Sequence, residues 1–177
     1  MEDVRIREAT TKDLLRVARL EGVISIAKYP NRRLGITAAD MRSIEFGSGR
    51  AAKYRRRFLD NPAGNLWVAE ADGQLVAFAA GTTGEYEHWL RKLYVASAWQ
   101  RQGLGARLLA VALDWFEPGK DIIANVASYD QPSIEFFRRH GFVERGMRPS
   151  DETVLPNGKI LPEVVLRRPG EALQSHS

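Results

Sequence analysis

The chain has 177 residues, 44% hydrophobic and 27% charged, with a formal net charge of +4 and no cysteine. That length suits one domain with a full apolar core, and the composition is that of a globular rather than a disordered or fibrous chain. The missing cysteine excludes disulfides, a thiolate nucleophile and Cys-ligated zinc, and the positive charge favours an anionic ligand without choosing among nucleic acid, acidic lipid and a phosphorylated cofactor.

No apolar run reaches about 18 residues, and Met1 to Arg7 lacks the apolar centre of a signal peptide, so a cytoplasmic chain with no membrane partner is expected. Val4-Arg5-Ile6-Arg7 alternates as a half-buried strand does. Thr10 to Asp13 offers caps for a helix carrying Leu14, Leu15, Val17, Ala18 and Ile24, which Tyr29-Pro30-Asn31 ends. A second helical region starts near Thr37 and runs through Met41 and Ile44; Gly47-Ser48-Gly49 interrupts it before a basic helix over 51–59. In that helix Tyr54 and Phe58, at i and i+4, face inward, and the cations of Lys53 to Arg57 form a solvated face rather than a nucleic-acid patch.

The pattern then changes to strands. Leu66-Trp67-Val68-Ala69 and Leu75-Val76-Ala77-Phe78-Ala79 flank Asp72-Gly73, the signature of a tight hairpin. A further strand covers about 86–95. Leu104, Leu108, Val111, Ala112 and Trp115 share one helical face, and Glu117-Pro118-Gly119 stops that helix. A short buried strand over 122–126, a helix over 131–140 closed by Gly141, and short late strands at 142–143 and 164–166 complete the chain. Residues 1–169 read as a single domain and 170–177 as a loose tail.

Gln100-Arg101-Gln102-Gly103-Leu104-Gly105-Ala106 lies between a strand and an amphipathic helix, where backbone N–H groups lack partners and the helix dipole is positive. The glycines let an anion approach the main chain and Arg101 adds a full charge, which suits a pyrophosphate. A dinucleotide fingerprint fits poorly, because Gly103-x-Gly105 continues to Leu108 and follows a hairpin; a Gly-Lys-Ser/Thr loop is missing altogether.

With Gln100-x-x-Gly103-x-Gly105 in place, the chain resembles the GNAT acetyltransferase superfamily, whose pyrophosphate motif is Gln/Arg-x-x-Gly-x-Gly/Ala after the fourth strand. Ser133-Ile134-Glu135-Phe136-Phe137-Arg138-Arg139-His140-Gly141-Phe142 is similar to a second motif of that superfamily. The resemblance implies acetyl-CoA as cofactor, held along Leu93, Tyr94 and Val95, the loop Gln100, Arg101, Gln102, Gly103, Leu104, Gly105 and Ala106, and Asp130, Ser133 and Phe137. It also implies an α/β fold, a mixed, mostly antiparallel sheet with helices on both faces, splayed at strands 4 and 5. The implied activity is N-acetylation of an amine on a small molecule or peptide.

Two positions depart from the family's pattern. Phe137 stands where many members have a Tyr that protonates the leaving thiolate, and Trp89 where many have a Glu acting as base through water. Glu87 shares Trp89's strand face and is one candidate base; His88, on the other face, has the better-matched unperturbed pKa, about 6.5. Tyr129, just before the helix that carries Phe137, and Tyr94, at the end of the fourth strand, are candidate proton donors. No metal is expected. An acyl-CoA sensor that has lost turnover is the alternative, and a homodimer stays open.

Overall fold

The computed structural model describes residues 3–171, and the backbone alone for 148–153. Seven strands form one sheet in the order β1-β2-β3-β4-β5-β7-β6. They are β1 (Arg5–Glu8), β2 (Gly64–Ala71), β3 (Gln74–Thr82), β4 (Glu87–Val95), β5 (Asp121–Ala127), β6 (Val143–Val154) and β7 (Ile160–Arg168). The helices are α1 (Leu14–Lys28), α2 (Ala38–Arg42), α3 (Ser48–Tyr54), α4 (Leu104–Trp115) and α5 (Gln131–Arg139). Only β4 and β5 pair in parallel; every other neighbouring pair is antiparallel.

Local sequence accounts for most of these elements. Asp72 and Gly73 take positive φ angles of 49° and 76°, the geometry of a tight two-residue hairpin between β2 and β3. The Thr10 N–H bonds the Asp13 carboxylate at 2.8 Å in a capping box ahead of α1. Leu14, Val17 and Ala18 of α1 are buried, the first two in a cluster with Tyr54, Phe58, Leu66 and Phe78 on one face of the sheet. On the other face α4 buries Leu104, Leu108, Leu109 and Ala112 against Trp67, Leu90 and Phe142. The β2 and β3 runs are apolar throughout, because helices cover both faces.

Three elements differ from the sequence reading. The basic helix becomes α3 followed by a π turn, Arg55–Leu59, which still buries Tyr54 and Phe58. The late strands are much longer than their apolar cores, since β6 and β7 pair with each other and β7 also pairs with β5; cross-strand bonding continues past the apolar residues. Gly170, read as part of the tail, donates its N–H to Asp121 at 2.9 Å, while 172–177 lie outside the described residues. Among the described residues no helix is long and apolar enough to cross a membrane.

Two irregularities shape the middle of the sheet. Pairing of β4 with β5 runs only from Glu87↔Asp121 to Leu90↔Ala124, although β4 continues to Val95 and β5 to Ala127, so the strands part there. In the β3–β4 ladder Ala80 pairs Lys92 but Gly81 pairs Leu90, leaving Arg91 as the extra residue of a bulge. The bulge reverses the alternation of faces. Leu90, Leu93 and Val95 pack on the α4 side, whereas Lys92 and Tyr94 reach the α1 side.

Candidate active site

The loop after β4 enters α4 through two residues in left-handed conformation, Arg101 (φ 60°) and Gly103 (φ 81°). The first backbone bond of α4 runs from Arg107 N–H to Gly103 O at 3.1 Å, so the helix does not use the N–H groups of Leu104, Gly105 and Ala106. A Cβ built at Gly103 would meet nothing within 4 Å, and the nearest atoms to one at Gly105 would be those of the Phe136 ring and Val95, at 3.6 and 3.7 Å, an ordinary contact. Gln100 and Gln102 hold the loop by donating to the carbonyls of Val95 and Ala98, both at 3.0 Å. The sequence motif is thus a ready cradle for an anion at the mouth of the β4–β5 gap.

On the α1 side of the same gap lies a cavity of about 210 Å³. Its lining includes Trp89, Arg91, Lys92 and Tyr94 of β4, Asn125 of β5, Glu163 of β7, Glu21 and Ser25 of α1, and Arg50 of α3. Glu21 is the electrostatic centre. It is 3% exposed and its carboxylate accepts from Tyr54 Oη at 2.5 Å and Lys92 Nζ at 3.0 Å, with Arg50 Nε at 3.7 Å. Burial pushes the Glu21 carboxyl up, but Lys92, Arg50 and the Tyr54 hydrogen bond outweigh it and hold it below the ordinary value. Burial likewise opposes the charge on Lys92, yet Tyr54 and Glu21 keep its pKa above the usual lysine value.

Phenols form the floor. The Tyr29 and Tyr94 hydroxyls are 3.0 Å apart, and Tyr94 stacks on Phe78 with centroids at 5.3 Å. Burial raises the pKa of both, so both are neutral hydroxyls near neutral pH. Asn125 Oδ1 is buried with no hydrogen-bond partner among the described residues.

The sequence-predicted residues divide by position. Leu93, Tyr94 and Val95 line the open end of β4, and Asp130 caps α5 by accepting from Ser133 N–H at 3.3 Å. Lys28 Nζ lies 2.6 Å from Asp130 Oδ2 and 3.0 Å from Ser133 Oγ, joining the end of α1 to the start of α5. Phe137 is 6% exposed, edge-on to Phe136 and Phe142 at 5.4 and 5.0 Å, and does not line the cavity. Neither do Glu87, at the start of β4, or Tyr129, whose hydroxyl donates to the Tyr29 carbonyl at 2.6 Å and is pushed up to about 12, first by burial and then by Asp130.

His88 needs correction as a candidate base. It is fully buried on the α4 side, stacked on Phe116 at 5.1 Å with Nε2 3.0 Å from the Glu117 carbonyl, because its strand face is the core face. Glu21, Arg50, Lys92, Asn125 and Glu163 were not recognised from sequence. One signal was present: Glu21 falls on the stripe of Leu14, Val17, Ala18 and Ile24, where a carboxylate is out of pattern.

The sheet is thus parted beside a glycine-containing helix start, with a polar cavity across the gap. The chain belongs to the Acetyltransferase (GNAT) family, whose model matches residues 36–142. No curated protein is a detectable sequence match. Among solved structures, the ribosomal-protein-S18-alanine N-acetyltransferase of Escherichia coli aligns with a TM-score of 0.69 at 19% identity, covering 99% of each chain. PaiA N-acetyltransferase from Thermoplasma acidophilum, in complex with coenzyme A, has a TM-score of 0.67 at 14% identity over 94% of this chain and 99% of its own. YncA from Salmonella typhimurium, with its cofactor acetyl-CoA, has 0.68 at 20% identity over 99% and 98%. At these identities the likeness is one of fold.

Proposed function

We propose that the protein is an acetyl-CoA-dependent N-acetyltransferase whose acceptor amine enters the cavity over the β4–β5 gap. The observation that carries this reading is the set of N–H groups at Leu104, Gly105 and Ala106, not used by α4, at the mouth of that gap. The residues present fit the cofactor. The main chain near Gly103 is open, Arg101 supplies a cation, and the β4 backbone from Arg91 to Val95 is not paired with β5.

Acetyl-CoA, when bound, supplies the acetyl group as a thioester. The acceptor must arrive with a neutral nitrogen, so a carboxylate in the cavity wall has to take its proton. We assign that role to Glu163 in the cavity wall, with Asn125 Oδ1 orienting the nitrogen by accepting its second N–H. Acetyl transfer would exchange the thioester's C–S bond for a C–N bond, and the proton that the acylated nitrogen sheds would pass to the CoA sulfur. The Tyr94 hydroxyl, a phenol of the cavity wall that is neutral at working pH, would give its proton to the sulfur and regain the one shed by the nitrogen. Glu87 and Tyr129 lie off the cavity and take no part in this scheme.

Calorimetry with acetyl-CoA tests the cofactor assignment. The wild type binds, and Gly105→Glu, which sets a carboxylate at the anion cradle, weakens binding by roughly tenfold or more. Equal affinity for both would sink the assignment. Release of CoA with a panel of amines then separates an enzyme from an acyl-CoA sensor; Glu163→Gln should cut kcat by about 10²-fold or more.

A further inference from the structure

Resting on the acetyl-transfer reading, the geometry points to an acceptor that is a small free amino acid, its carboxylate seated on Arg50. Among the described residues the charged side chains lining the cavity are the cations Arg50, Arg91 and Lys92 and the carboxylates Glu21 and Glu163. That excess of positive charge disfavours a polyamine. Glu21 does not cancel the cations evenly: Lys92 holds it at 3.0 Å, whereas Arg50 stands off at 3.7 Å, beyond hydrogen-bond reach.

Among the described residues the Arg50 side chain is otherwise held by its ring contact with Phe46, guanidinium to centroid 5.2 Å, and it is 17% exposed. Among the described residues its guanidinium makes no hydrogen bond, although it carries five N–H donors in a fork matched to a carboxylate. A half-buried guanidinium left in this state, in a cavity wall, has room for a two-pronged anion. Two other lining residues are its complement. Asn125 Oδ1, buried and without a partner among the described residues, and the Glu163 carboxylate are both acceptors for N–H groups, and they line the cavity from β5 and its neighbour β7.

A molecule that meets both sets of residues carries a carboxylate and an amine. The cavity is small: about 210 Å³, against the roughly 300–1,000 Å³ usual for drug-sized ligands. Met41, Ile44, Phe46 and Leu155 supply an apolar wall for its side chain. A peptide N-terminus offers the same amine but an amide in place of the carboxylate, which leaves Arg50 unanswered.

The test compares CoA release for matched acceptors, L-methionine against L-methioninamide and L-phenylalanine against phenethylamine. The acid of each pair should be preferred by about 30-fold or more in kcat/KM, mostly through KM. In Arg50→Gln that preference should collapse to within about threefold, and Arg50→Lys should restore part of it. Acetyl-CoA affinity by calorimetry and the melting temperature serve as controls for folding. Turnover of the amides and amines at or above the rate of the acids, or an Arg50→Gln that leaves the preference intact, overturns the inference while the acetyltransferase reading stands. Failure of the wild type to bind acetyl-CoA overturns both. The acid-to-amide comparison needs no variant, so a poorly folding Arg50→Gln does not shield the inference.

Discussion

Asp13 illustrates how single carboxylates tie this fold together. It is 2% exposed, accepts from Arg7 at 2.7 and 3.0 Å and from the Thr10 N–H at 2.8 Å, and so joins β1 to the start of α1. The Arg7 hydrogen bond, followed by those of Thr10, outweighs burial and pulls its carboxyl down to about 2 from 3.8. Because the folded value lies below the unfolded one, Asp13 stabilises the fold above about pH 4, and that contribution fades as pH falls toward 2. Asp13→Asn should therefore be less stable than the wild type in urea at pH 7, with the gap narrowing through that acid window. A gap independent of pH would show that packing, not charge, sets the cost. Glu21 acts in the same sense, since its folded carboxyl is also held low.

Among the elements, α5 depends most on one residue at its start. Asp130 accepts the Ser133 N–H and pairs with Lys28, so it both caps α5 and anchors the end of α1 across the mouth of the gap. Asp130→Ala removes both contacts and should cost about 0.5–2 kcal/mol for the cap alone. Asp130→Asn keeps an acceptor for the cap and loses only the ion pair, so its cost should be smaller. Urea unfolding of the two variants checks the order; equal losses would mean that the cap contributes nothing. The bulge at Arg91 acts on the same scale, because one extra residue turns Lys92 and Tyr94 into the cavity and sends Leu93 and Val95 into the core.

For the whole molecule, cofactor binding is a stability statement. A ligand that binds only the folded chain adds about 2.7 kcal/mol at a hundred times its Kd. For a chain of this size each kcal/mol moves Tm by roughly 2–4 °C, so acetyl-CoA at that excess should raise Tm by about 5–11 °C. Thermal melts over a range of acetyl-CoA concentrations check this, and a Tm that does not move would contradict the assigned cofactor. Gly103→Val should lose much of the shift, since the φ of 81° is one a β-branched residue resists.

The sequence by itself determined the features whose causes are local. The Asp72-Gly73 hairpin, the apolar stripes of α1 and α4, the inward Tyr54 and Phe58, and the glycine loop opening α4 all follow from a few adjacent residues. Helix and strand periods, positive φ and unpaired helix-start N–H groups act over one or two turns of chain. Tertiary structure decided the cavity. Glu21 and Lys92 lie 71 residues apart, and Arg50, Asn125 and Glu163 come from three further elements, so no local pattern brings them together. It also decided which face of β4 each side chain takes. Alternation read from the sequence assumes an unbroken ladder, and the bulge at Arg91 breaks it, because only pairing with β3 sets the register.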